Sequence, residues 1–67
     1  MKSRSSREIL KMLHADGWIV KRQVGSHLQL VHPTKPGKVT VPHPNKDLAP
    51  ATVASIARQA GIDLGGS

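Results

Sequence analysis

No cysteine and a single aromatic side chain, Trp18, in a chain of 67 residues set the terms on which this sequence can fold. Without thiols there is no disulfide framework, no zinc knuckle and no cysteine nucleophile. Without Phe or Tyr, the core has to come from Leu, Ile, Val and Ala packed with one indole. A domain of this size buries only about 60% of its unfolded surface, so there is material for one small core and no second. The expectation is a single domain over residues 1–67, with its body over about 3–62 and a flexible tail over 63–67. No run reaches the ~18 apolar residues of a membrane span, and MKSRSSRE lacks a signal-peptide apolar region. A soluble, cytoplasmic protein is expected.

Charge narrows the partners. Ten Lys and Arg against four Asp and Glu give a formal +6. That density favours a polyanion such as RNA or DNA, or an acidic protein, over a surface kept basic only for solubility.

Helix, three strands, helix is the order that the pattern predicts. Ser5 and Glu8 have the Ser-x-x-Glu spacing of a capping box. Ile9, Leu10 and Leu13 follow at helical spacing, and Gly17 supplies a left-handed ending, with Trp18 placed to fold back over Leu13. A second helix opens at Pro50, whose missing N–H is no loss in a first turn. Val53, Ile56, Ala57 and Ala60 mark its buried face, and Gly61-Ile62 repeats the glycine-plus-hydrophobe ending. Between the helices, Gly25-Ser26 reads as a two-residue hairpin turn, and Pro33-Thr34-Lys35-Pro36-Gly37 is turn chemistry throughout. Strands are expected over 18–24, 27–32 and 38–42. The hairpin pairs Val24 with His27 and Arg22 with Gln29, so these four share one face. Leu28 and Leu30 point the other way, with Ile19 expected opposite Leu30 and Val39 and Val41 extending the bed for both helices. Lys38 and Thr40 are left on the His27 face, and Val20 and Val31 are expected there too. The fold class is α+β: an α-β-β-β-α sandwich with a three-stranded antiparallel sheet and two helices on one face.

Among the chemistry-bearing residues, His27 stands out. It follows the Gly-Ser turn on the open sheet face, beside Arg22, Gln29 and Lys38. An imidazole near neutrality gives or takes a proton, a contribution worth roughly 10²–10⁴-fold in rate. RNA carries its own nucleophile, the ribose 2′-hydroxyl, so such a residue can serve cleavage without a metal. The plainer reading is an exposed strand histidine, and spacing alone favours that reading over the catalytic one. Arg4, Arg7, Lys11 and His14 recur at three- and four-residue steps as one polar stripe, either a phosphate-tracking edge or a solvated helix face. Arg22, Lys35 and Lys38 surround the presumed active face. His32 and His43 each precede a proline. Rigid turn chemistry is the favoured role of His43, with a second catalytic acid as the alternative if its connector bends back toward His27. No histidine pair has the spacing of a helical zinc motif and the acidic residues are scattered, so neither a metal nor another cofactor is expected.

From about Ser3 to Ile62 the chain resembles the HicA toxins of bacterial toxin–antitoxin modules. The resemblance rests on Arg7 to Leu13, Gly17-Trp18, Gly25-Ser26-His27 and His32-Pro33 through Gly37. Val39-Thr40-Val41-Pro42, Asp47-Leu48 and Ile56-Ala57-Arg58-Gln59-Ala60-Gly61 complete it. It implies a fold like that of double-stranded-RNA-binding domains and an mRNA interferase whose catalytic histidine maps onto His27. Arg7, Lys11, Arg22, Ser26, Gln29, Lys35 and Lys38 are the expected RNA contacts. The implied partners are mRNA and a cognate HicB-type antitoxin, with a free monomer and a hetero-oligomer in the complex. Where the family often has a second histidine or an aromatic residue after Gly-Ser-His, Leu28 and Leu30 stand here. A face without aromatics lacks stacking platforms worth about 1–3 kcal/mol each, so backbone contacts should dominate. Two alternatives are a non-catalytic double-stranded-RNA-binding module and a DNA-reading second helix. The latter is disfavoured because PATVASIARQAG carries only Arg58 as a basic residue.

Overall fold

The structure is a computed structural model in which residues 3–63 are described. Residues 64–67 of the expected tail lie outside them. The elements are α1 (Ser6–Asp16), β1 (Ile19–Val24), β2 (His27–Val31), β3 (Val39–Pro42) and α2 (Pro50–Ala60), the α+β order read from the sequence.

Both helices end by the same device. Gly17 adopts φ +107°, which lets its N–H reach His14 O at 3.0 Å and the Trp18 N–H reach Leu13 O at 2.9 Å. Gly61 repeats this with bonds to Arg58 O and Ala57 O. These paired bonds satisfy carbonyls that a helix end leaves open, and each turns an apolar side chain, Trp18 or Ile62, back toward the core. At its start, α1 carries the capping box: Ser5 Oγ accepts from the Glu8 N–H, and Glu8 Oε1 accepts from the Ser5 N–H, both at 3.2 Å. No side chain caps α2, which begins at Ala49-Pro50.

The sheet runs β1-β2-β3, antiparallel throughout. Val24 pairs with His27 and Arg22 with Gln29, as the two-residue turn requires. The register then shifts between Val20 and Arg22, where Lys21 is the extra residue of a bulge. This corrects the expectation for Ile19, which lies opposite Val31 rather than Leu30 and is 57% exposed. Val20, expected on the outer face, is instead the partner of Leu30. The cause is the bulge itself: one inserted residue exchanges the faces of everything beyond it. Lys38 lies just before β3 rather than within it.

Leu28, Leu30, Val39 and Val41 form the bed on which both helices pack. Ile9 and Leu13 come from α1, and Val53, Ile56, Ala57 and Ala60 from α2, with Leu48 and the fully buried Trp18 closing the cluster. The connector from β3 to α2 clasps the chain before α1: Leu48 N–H donates to Arg4 O and Ser6 N–H to Asn45 O, both at 2.8 Å.

A Cβ on Gly17 would stand 2.7 Å from His32 Nε2, in addition to the positive-φ strain. Gly17→Ala should therefore lower stability by about 1–3 kcal/mol in urea unfolding. Gly25→Ala should cost less, because a Cβ there meets nothing within 4 Å. Equal losses would contradict the role given to His32 behind Gly17.

Candidate functional site

The four histidines occupy four different environments. His14 Nδ1 lies 2.8 Å from Trp18 O, so its ring donates to that carbonyl and braces the end of α1. His32 is engaged at both nitrogens. Nδ1 accepts from the N–H groups of Thr34 at 3.0 Å and Lys35 at 3.1 Å, which leaves Nε2–H to donate to Asp16 O at 2.6 Å. Its ring also meets Trp18 edge to face, with centroids 5.3 Å apart. His43 Nδ1 lies 2.7 Å from Ser6 Oγ. His27 differs from all three: among the described residues, neither ring nitrogen has a hydrogen-bond partner, and the side chain is exposed.

His27 opens the central strand, so its imidazole stands on the sheet face that no helix covers. Its cross-strand neighbours are Val24 on β1 and Pro42 on β3. The next pairs on that face bring Arg22, Gln29 and Thr40 within about 7 Å along the strands, two residues at ~3.4 Å each. Ser26 is in the adjoining turn, and its carbonyl accepts from the His43 N–H at 2.7 Å. Lys38 borders the same face at its far end, about 13 Å from Pro42 by strand spacing. The face thus presents one uncommitted imidazole, a guanidinium and an amide, a set suited to holding a phosphodiester beside a proton-transfer group.

The family model for the HicA toxin of bacterial toxin–antitoxin systems matches residues 6–62 of the 67. The chain belongs to the HicA toxin family. No curated protein matches the chain in a direct comparison.

Placed on this HicA fold, the remaining expected contacts separate into two groups. Arg7 and Lys11 are exposed on α1 and Arg22 on β1, all without an ion-pair partner among the described residues. Lys35 is otherwise employed. Its ammonium lies 2.6 Å from Asp16 Oδ2 and donates to Ala60 O at 3.1 Å and Gly61 O at 3.2 Å, tying the ends of both helices together. The stripe on α1 also thins, because Arg4 pairs with Glu8 at 4.0 Å and His14 braces Trp18. Two residues that the sequence did not single out are Ser6 and Asn45. Ser6 is buried, accepts from the Asn45 N–H at 2.9 Å and holds His43. In the sequence it is one serine among several at a helix start, and nothing marks it. Among the described residues, no three His, Asp or Glu side chains gather as a metal-binding group.

The Lys35 ammonium, hydrogen-bonded to Asp16, holds that carboxyl below its usual 3.8. A carboxyl depressed in the folded state contributes fully above its unfolded value, and the contribution is lost as pH falls through the folded one. Wild type should therefore melt above Asp16→Asn near neutrality, with the gap closing below about pH 4. A gap that stays constant in thermal melts down to about pH 2.5 would show that the pair contributes no linked stability.

Proposed function

We propose that this chain is a metal-independent endoribonuclease, an mRNA interferase toxin, with His27 as its catalytic residue. The observation that carries the reading is the free state of that imidazole. The other three histidines each have a ring nitrogen committed to the fold, whereas His27 has both available on the open face. A histidine built into this fold is held through a ring nitrogen, as His14, His32 and His43 are.

The chemistry needs little more. The ribose 2′-oxygen attacks the adjacent phosphorus as its proton passes to His27, and the P–O5′ bond breaks. The products are a 2′,3′-cyclic phosphate and a 5′-hydroxyl: the leaving O5′ takes a proton from water, and His27 returns its own to solvent. In its protonated form the same imidazole would instead serve as the donor to O5′. Arg22 and Gln29 flank the phosphodiester, and Ser26, Arg7, Lys11 and Lys38 extend the path of the backbone. Lys35 is left out because its ammonium is committed to Asp16 and the α2 carbonyls. With no aromatic residue on this face, recognition rests on phosphate and ribose rather than on stacked bases.

A toxin of this charge calls for an acidic partner. The cognate HicB-type antitoxin would cover His27 and Arg22, drawn in by charge complementarity that speeds encounter. The free toxin is monomeric and cytoplasmic in this reading, and joins its antitoxin in a hetero-oligomer.

Purified protein incubated with a long transcript in EDTA should produce fragments ending in cyclic phosphate. His27→Ala should slow cleavage by roughly 10²–10⁴-fold while keeping RNA affinity. If both proteins bind RNA and neither cuts it, the chain is a binding module and the catalytic reading fails. Cleavage that needs added divalent metal would overturn its metal independence.

A further inference from the structure

Beside the His27 hairpin, and outside the open sheet face, lies a cleft of about 350 Å³ between the first turn of α1 and the β3–α2 connector. Its walls include Ser6, Arg7, His43, Pro44, Asn45 and Lys46. We propose that this cleft is a second subsite of the toxin, which holds the phosphate and ribose of the RNA strand next to the cleaved bond through His43 Nε2, Arg7 and Lys46. The proposal rests on the nuclease reading of His27 and adds residues to the substrate's path.

Three observations support it. The first is the orientation of His43. Ser6 Oγ is buried and already accepts from the Asn45 N–H, so its own proton needs an acceptor, and His43 Nδ1 at 2.7 Å supplies one. The network thus assigns the ring proton to Nε2. That N–H has no partner among the described residues, while the rest of the ring is held, so a donor is fixed at the cleft wall. The second is charge. Arg7 and Lys46 are exposed on either side and form no ion pair among the described residues. Of the nearby carboxylates, Glu8 is engaged by Ser5 and Arg4, and Asp47, which follows Lys46, is not part of the cleft wall. Two free cations and a fixed neutral donor suit a phosphate, whereas they would repel a basic ligand. The third is position. His43 N–H is bonded to Ser26 O, and Pro42 lies across from His27, so the cleft begins where the reactive face ends. Strand geometry places His27 and His43 on opposite faces at this rim, on the order of 10 Å apart at their ring tips. That separation suits a strand bending over the edge, and it assigns His43 to binding rather than to proton transfer at the same phosphate. The volume is at the lower end of the ~300–1,000 Å³ typical of small-ligand sites, which fits one nucleotide rather than a duplex.

The test is binding of a single-stranded RNA of about 12 nucleotides, a length within the reach of one small domain. All variants carry His27→Ala, so the readout is independent of cleavage. Arg7→Gln with Lys46→Gln should flatten the dependence of log K on log salt by about 1.4, two contacts at ~0.7 each on a single strand. Arg58→Gln, on α2, removes one charge away from the cleft and should change the slope little. His43→Asn keeps an acceptor for the Ser6 hydroxyl and removes Nε2, so it should weaken binding about 3- to 10-fold with the slope unchanged. The charge variants are at exposed positions and will fold, which keeps the test informative even if His43→Asn does not. The proposal is overturned if the cleft charge variant behaves like Arg58→Gln, or if a folded His43→Asn binds RNA as tightly as its parent. Loss of antitoxin binding with RNA binding intact would assign the cleft to a protein contact and likewise sink it. If the transcript is never cut but these losses appear, the subsite stands as RNA-binding and only the nuclease reading falls.

Discussion

One imidazole, that of His32, joins parts of the chain that no secondary-structure hydrogen bond connects. It accepts from the two backbone N–H groups of the turn after β2 and donates to the carbonyl of Asp16 at the end of α1. The turn so ordered carries Lys35, whose ammonium reaches Asp16 and the terminal carbonyls of α2. A small sheet and both helix ends are thereby held at one point, with Trp18 packed edge-on against the same ring. For a chain with a single large aromatic side chain, this polar junction supplies the alignment that a bigger apolar core would otherwise provide.

The opposite end of the molecule is organised by a second polar junction, Ser6 with Asn45 and His43. It fastens the start of α1 to the connector after β3, which in turn is bonded to the hairpin carrying His27. Each histidine near the helices has at least one ring nitrogen committed to the fold, whereas His27, on the uncovered face of β2, has neither committed among the described residues. The same division holds among the cations. Lys35 and Arg4 are paired to carboxylates, while Arg7, Arg22 and Lys46 stand without such partners among the described residues.

How much of this was legible in the sequence follows from the range of each interaction. Helix ends are written in neighbouring residues, so the Ser5–Glu8 box and the Gly17-Trp18 and Gly61-Ile62 endings read directly. The hairpin register near Gly25-Ser26 did too, because a two-residue turn leaves little freedom. It failed toward Ile19, where a bulge at Lys21 carries no glycine to announce it, and the faces of Ile19 and Val20 exchanged. Lys35 looked like any other turn lysine, since its partners lie 19, 25 and 26 residues away. Ser6 gave no signal for the same reason: its partner His43 is 37 residues distant. Spacing identified His27 as a candidate, but its freedom from hydrogen bonds becomes visible only once the other three histidines have found theirs.

The division of labour among the histidines is open to direct measurement by long-range proton–nitrogen NMR of the imidazole rings, which reports the tautomer of each. His14 should hold its proton on Nδ1, and His32 and His43 should hold theirs on Nε2. His27 should show the averaged shifts of a ring exchanging between both forms. A single fixed tautomer at His27, or averaging at His32 or His43, would contradict the claim that His27 is the one histidine the fold leaves free.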